Sequence, residues 1–300
     1  NEIKYYGVLF EAPAAFLEVL FKIDKKKNQF LFKHYLIFII FFVSLIFFYK
    51  LLNNRFQNYQ LSLLGVLMIF LSPRIFANSF YNNKDIIFLS FFIFSLYYAF
   101  CFLDKPNNKN IILSALFCAF AIDIRINAII TPLILLTYYF LYEIINKKEK
   151  IIILKNLGKY LFYTFIFITI FWPYLWSNPI FNFLEAFKQM SNYPLEIYNL
   201  FNGKYVLSKD LPISYLPTWI FFTTPITYVL FFLICILFLL KEILFDKNIL
   251  FNRNFLKDFL LFSILFSVFF IIIFLGSTLY NGWRQLYFLY PLIVYFSIFG

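Results

Sequence analysis

Of 300 residues, 63% are hydrophobic and only 14% are charged, a balance that excludes a soluble domain and indicates a polytopic membrane protein. The net charge of +11 resides mainly in lysines between apolar runs, which suits contact with anionic lipid and argues against nucleic acid as a partner. Cys101, Cys118 and Cys235 all fall inside apolar runs without CxxC spacing, so neither a disulfide framework nor a zinc site is expected.

Residues 1–11 are polar and aromatic. The next stretch, 12–24, is amphipathic: Glu11, Glu18 and Lys22 share one face, and Phe16, Leu17, Leu20 and Phe21 share another. It is too short to cross ~30 Å of hydrocarbon and is expected to lie in the interface. About nine spans follow, at 33–52, 59–73, 85–103, 110–124, 126–145, 158–176, 223–241, 256–276 and 285–300. The runs are continuous rather than alternating, so the fold class is an all-α transmembrane bundle and not a barrel. His34, the sole histidine, begins a span and reads as interfacial rather than catalytic. The segment Asp123-Ile-Arg-Ile-Asn127 divides two spans and reads either as a tight helical hairpin or as the break in one long helix; the assignment of sides below takes the hairpin. No repeat or low-complexity linker is visible, so residues 1–300 form a single membrane domain with external loops at 1–30 and 177–222. The chain lacks an initial Met and ends within an apolar run, and it is expected to be truncated at both ends.

Lysine and arginine in loops set orientation. Loops 143–159 and 241–257 carry Lys147, Lys148, Lys150, Lys155, Lys159, Lys241, Lys247, Arg253 and Lys257, and both are assigned to the cytoplasm. Lys25, Lys26 and Lys27 run against that assignment. The opposite compartment receives Glu2, Arg74, Lys84, Asp85, Asp123, Arg125, Asp210 and Arg284, several of them at span ends beside Trp and Tyr.

Asp85 opens a long apolar helix. It is either an N-cap for free backbone N–H groups or a carboxylate at the rim of a cavity, paired with Arg74 or Lys84. Arg125 either snorkels to lipid phosphate or enters the same cavity as an anion ligand. Arg284, in Gly282-Trp283-Arg284, is a planar donor able to hold phosphate oxygens by two parallel bonds. Trp172-Pro173-Tyr174-Leu175-Trp176 is an aromatic belt or a stacking surface for sugar or prenyl groups. The Pro-rich loop Ser208–Pro217 could form part of a lid.

These motifs resemble the GT-C superfamily of integral-membrane glycosyltransferases, in the branch with protein O-mannosyltransferases and lipid A aminoarabinose transferases. Asn1-Glu2-Ile3-Lys4-Tyr5 is similar to the Asp-Glu-x-x-Tyr motif of the first external loop. Pro73-Arg74 with Asp85 is similar to the second loop's Arg and the acid at a helix start. Arg125 matches the basic residue of the broken-helix region, and Gly282-Trp283-Arg284 the late loop near the carrier phosphate. The resemblance implies transfer of a sugar from a polyprenyl-phosphate donor to an acceptor on the external face, with inversion. It implies a bacterial inner-membrane protein with its site facing the periplasm or exterior; the frequent Phe, Ile, Asn and Lys fit an AT-rich bacterial genome. Asn1 stands where the family has its leading Asp and cannot take a proton as a carboxylate does, which leaves Glu2, Glu11 or a one-residue slip.

Single displacement needs a carboxylate near the acceptor hydroxyl and cations near the departing phosphate. Glu2 and Asp85 are the candidates for the first task. Arg74, Lys84, Arg125 and Arg284 are those for the second. Tyr5, Trp172, Trp176 and Trp283 are candidate stacking surfaces. No nucleotide-binding Gly-rich loop is present, in keeping with a lipid-linked donor. No cofactor and no metal ligand is assigned, and a divalent cation stays open. The rival readings are a secondary transporter or flippase, and a surface-polysaccharide polymerase or ligase. Sugar and acceptor are not legible.

Overall fold

The computed structural model describes residues 2–191, 197–245, 252–274 and 278–300. Without water to satisfy backbone groups, the apolar runs close their hydrogen bonds internally as helices. In chain order these are α1 (Glu11–Leu20), α2 (Lys26–Phe56), α3 (Tyr59–Phe70), α4 (Pro73–Asn78), α5 (Asp85–Asp104), α6 (Asn108–Ile124), α7 (Ile130–Ile145), α8 (Lys150–Phe171), α9 (Pro179–Ser191), α10 (Tyr215–Thr223), α11 (Ile226–Phe245), α12 (Arg253–Phe274) and α13 (Tyr290–Phe299). Among the described residues six segments are long and apolar enough to cross a bilayer: α2, α5, α7 with its leading turn Ile126–Ile129, α8, α11 and α12. The expected runs at 59–73, 110–124 and 285–300 form the shorter α3, α6 and α13. At 1.5 Å per residue α3 and α6 reach about 18 and 26 Å, short of a ~30 Å core.

Helix α5 is apolar on every side, and such a helix belongs inside a bundle. It is buried against α2, α6 and the 3-10 turn Arg284–Leu289. Phe288 of that turn packs on Phe88 and Phe92, with ring centroids 4.5 and 5.0 Å apart. Between helices in lipid, close contact rather than water exclusion supplies the attraction. Gly65 permits it: a Cβ there would come within 2.4 Å of Ile298 and Leu52.

One end of the bundle is held by buried ions. Arg55 donates twice to Asp258, at 2.8 and 2.6 Å, and Tyr295 adds a third bond to the same carboxylate. Lys257 pairs with Asp104 at 2.7 Å and donates to Asn54 at 3.0 Å. Such pairs gain little over apolar packing, but breaking one strands a charge. Here Arg253, Lys257 and Lys148, from the two basic loops, find acceptors on Asp104 and Glu143.

The hairpin expected at 123–127 is corrected. Arg125 is extended, at φ −145° and ψ 119°, and ends α6. Beyond it α7 packs chiefly on α12, while α6 stays against α5 and α8, so the two helices part and space opens between them. Helix α1 exposes Phe16, Val19, Leu20 and Phe21, as an interfacial helix does. The long stretch 177–222 folds as α9, a hairpin of β1 (Tyr198–Phe201) and β2 (Lys204–Leu207), and α10. Asn202 and Gly203, both at positive φ, make the two-residue turn. The Ser208–Pro217 segment is anchored: the Tyr215 hydroxyl accepts the Gly282 N–H at 3.1 Å, beside Arg284.

Candidate active site

The loop before α5 prepares Asp85. The Asn82 side chain accepts the Asp85 N–H at 2.9 Å and the Lys84 N–H at 3.3 Å. Its amide nitrogen donates to Asn78 Oδ1 and to Asp85 Oδ2, both at 2.9 Å. Asn82 therefore supplies the side-chain cap, which corrects the N-cap reading of Asp85 and releases that carboxylate for other partners. Asp85 is 3% exposed. Arg125 bonds its Oδ1, and Arg284 Nε lies 3.2 Å from its Oδ2. The partners are thus Arg125 and Arg284, not Arg74 or Lys84 as expected. Each guanidinium spends one edge on Asp85, and the side chains stay partly exposed, at 15% for Arg125 and 34% for Arg284.

Arg74 lies over Trp219, 5.0 Å from the ring centroid. Gly282, at φ +73°, leaves it room: a Cβ there would come within 3.2 Å of Arg74 Nη1. Lys84 sits 3.8 Å from the centroid of the Tyr6 ring. Burial and then the Arg125 charge lower its pKa, with Asp85 and Glu11 opposing.

The first loop is pinned to the end of α6. The Gly7 N–H donates to the Asp123 carbonyl and the Leu9 N–H to Asp123 Oδ2, each at 3.0 Å. A Cβ on Gly7 would fall 1.9 Å from Asp123 Oδ1. Gly7→Ala is expected to cost about 1–3 kcal/mol and to free the loop. Thermal melting in detergent and faster proteolysis within residues 2–10 would show it; an unchanged melt would count against the contact. Glu2 lies in the turn Glu2–Tyr5, and its side chain, like Asn1, is outside the described residues. Glu11 is engaged with Lys33 at 3.1 Å and with Asn83, tying α1 to α2 and to the Asp85 loop.

A cavity of about 300 Å³ adjoins these groups. Its polar end holds Tyr5, Tyr6, Arg125, Asn127 and Gln285. Its apolar walls are Leu133 of α7 and Val268, Ile271 and Ile272 of α12. Leu133 and Ile271 are exposed, so this wall of the cavity is not sealed by the core.

Two expected stacking residues are corrected. Trp172 is 1% exposed and directs its N–H at the Lys4 carbonyl, 3.4 Å away. Trp283 is 2% exposed and donates to Thr223 Oγ1 at 2.8 Å. Both rings are consumed by the protein core. Trp176 is 66% exposed, bonds the Thr169 carbonyl at 2.9 Å and does not line the cavity. Tyr5 does line it, and its hydroxyl donates to Glu185 Oε1 at 2.8 Å. Tyr174 donates to Glu185 Oε2 at 2.7 Å. These bonds, Tyr174 first, hold the Glu185 carboxyl below its ordinary range, and desolvation followed by Glu185 pushes Tyr174 up to about 12. Glu185 escaped sequence reasoning, because an acid on an amphipathic loop helix carries no motif.

Fold and site define a helical integral-membrane protein with a buried charged centre next to a cavity walled by α7 and α12. Residues 12–176 match the family of dolichyl-phosphate-mannose-protein mannosyltransferases, more than half of the chain. The chain belongs to that family, and it is a membrane glycosyltransferase of the GT-C type. Among curated proteins and solved structures, none matches it significantly.

Proposed function

We propose that this chain transfers a sugar from a polyprenyl-phosphate donor to an acceptor on the external side of a bacterial inner membrane, with inversion. The observation that carries this reading is the meeting of Arg125 and Arg284 on one buried carboxylate, with Arg125 also lining a cavity walled by apolar residues of α7 and α12. The prenyl chain enters between α7 and α12, against Leu133 and Ile271. The phosphate then lies at the two guanidiniums, whose planar N–H edges match its oxygens. In the displacement the acceptor oxygen bonds the anomeric carbon as the carbon–oxygen bond to phosphate breaks. The electron pair leaves with the phosphate, where the guanidiniums stabilise the growing charge. The acceptor proton passes to a first-loop carboxylate, Glu2 by sequence. Asp85, with both oxygens engaged, holds the arginines rather than acting as base. Arg74 and Lys84 flank this centre from the same loop.

The test is release of polyprenyl phosphate by the purified chain from mannosyl polyprenyl phosphate, with and without a bacterial membrane extract as acceptor source. Release is expected only with the extract and is lost in Arg284→Ala and Asp85→Asn. Full activity in both variants would remove this site.

A further inference from the structure

Beside the arginine centre, three segments meet on a single surface carboxylate. Glu185 of α9 takes the Tyr5 hydroxyl on one oxygen and the Tyr174 hydroxyl on the other. The Tyr5 and Tyr174 rings meet edge to face at 5.5 Å. The Lys4 ammonium lies 3.8 Å from the carboxylate and over both rings, at 4.8 and 5.2 Å. The first loop, the turn Pro173–Trp176 after α8, and α9 are thereby fastened at one point.

The fastening bears on the cavity from two sides. Tyr5 and Tyr6 of the first loop line its polar end, and Phe187 and Met190 of α9 line its wall. Helix α9 turns Ile180, Phe181 and Leu184 outward, the apolar face of a helix lying at a membrane surface. Its other face rests on Trp172 and Leu175 through Ala186. Those apolar contacts do not choose a rotation or a depth for α9. Directed bonds do: Asn182 of α9 donates to the Tyr174 carbonyl at 2.6 Å and to Ser177 Oγ at 2.9 Å, and the two phenol bonds to Glu185 add the link to the first loop, because each carboxylate oxygen accepts along a defined direction. We infer that Glu185 is a positioning residue for the transfer reaction: it locks the first loop and α9 into one cover over the donor cavity. The inference rests on the donor reading given above. A carboxylate with 32% of its side chain exposed contributes little to global stability, so its loss falls on placement of the cover rather than on folding.

The experiment compares the full chain with Glu185→Ala, Glu185→Gln, Tyr5→Phe, Tyr174→Phe and the double variant Tyr5→Phe/Glu185→Ala. Hydrogen exchange read by mass spectrometry reports the cover without any turnover. In Glu185→Ala, exchange in 2–12 and 179–191 is expected to rise about tenfold or more, with the bundle helices unchanged. Glu185→Gln, which keeps an acceptor oxygen, is expected to lie between wild type and Ala. Turnover of mannosyl polyprenyl phosphate with the membrane extract is expected to lose about 10- to 100-fold in kcat with donor KM within about twofold, since a small misplacement is enough. The double variant is expected to match the worse single one, because hydroxyl and carboxylate act as a unit. Unchanged exchange in Glu185→Ala overturns the inference, as does multiplication of the two single effects in the double. If wild type releases no polyprenyl phosphate, the donor reading falls while the exchange result still decides the clasp.

Discussion

Arg284→Ala is expected to lower kcat for sugar transfer by about 10²–10³-fold while the protein stays folded, because it removes a fixed donor from the charge that grows on the leaving phosphate. The arginine starts the 3-10 turn that leads into α13 and is held 3.2 Å from Asp85 by its Nε. That turn is packed by Phe288 against α5, so the guanidinium is delivered from a rigid element. Without it Asp85 keeps Arg125 and Asn82, and no buried charge is left alone. Arg284→Lys is expected to recover little, since an ammonium cannot span two phosphate oxygens in one plane. Release of polyprenyl phosphate, with thermal melting in detergent as the folding control, decides the matter. Wild-type kcat in a well-folded Arg284→Ala would show that the leaving group lies elsewhere.

Asp85→Ala has the second large effect, and it strikes stability as well as rate. It leaves two guanidiniums facing each other without their counter-ion in a largely buried setting, a loss of about 3–5 kcal/mol. Polyprenyl phosphate supplies the missing negative charge. Its addition is therefore expected to raise the melting temperature of Asp85→Ala more than that of wild type, because a ligand stabilises whichever state binds it. Transfer stays impaired, as the arginines are no longer oriented by the protein. An Asp85→Ala variant that melts with wild type and gains nothing from polyprenyl phosphate would refute the role of this carboxylate as their holder.

The membrane class and the helical fold could be read directly, because continuous apolar runs in lipid have no other way to pair their backbone groups. Asp85, Arg125 and Arg284 could be singled out as candidates too, since a charge beside hydrocarbon is costly. The family match itself ends at residue 176; Arg284 beyond it was a candidate from its own sequence context, whereas Glu185 emerges only through packing. Which groups pair was hidden. Asp85 passes over its loop neighbours Arg74 and Lys84 for Arg125, 40 positions along the chain, and for Arg284 beyond it. Local sequence favours near partners; the divergence of α6 and α7 and the docking of Phe288 on α5 bring the distant ones. The same ambiguity governed the tryptophans, since an indole suits both an interfacial belt and a core, and only burial separates Trp172 and Trp283 from Trp176. Residue chemistry alone determined that this chain lives in lipid and which side chains are expensive to keep there. Tertiary packing decided which of them meet, because ion pairing depends on where helix ends converge, and that is settled by contacts between segments far apart in the chain.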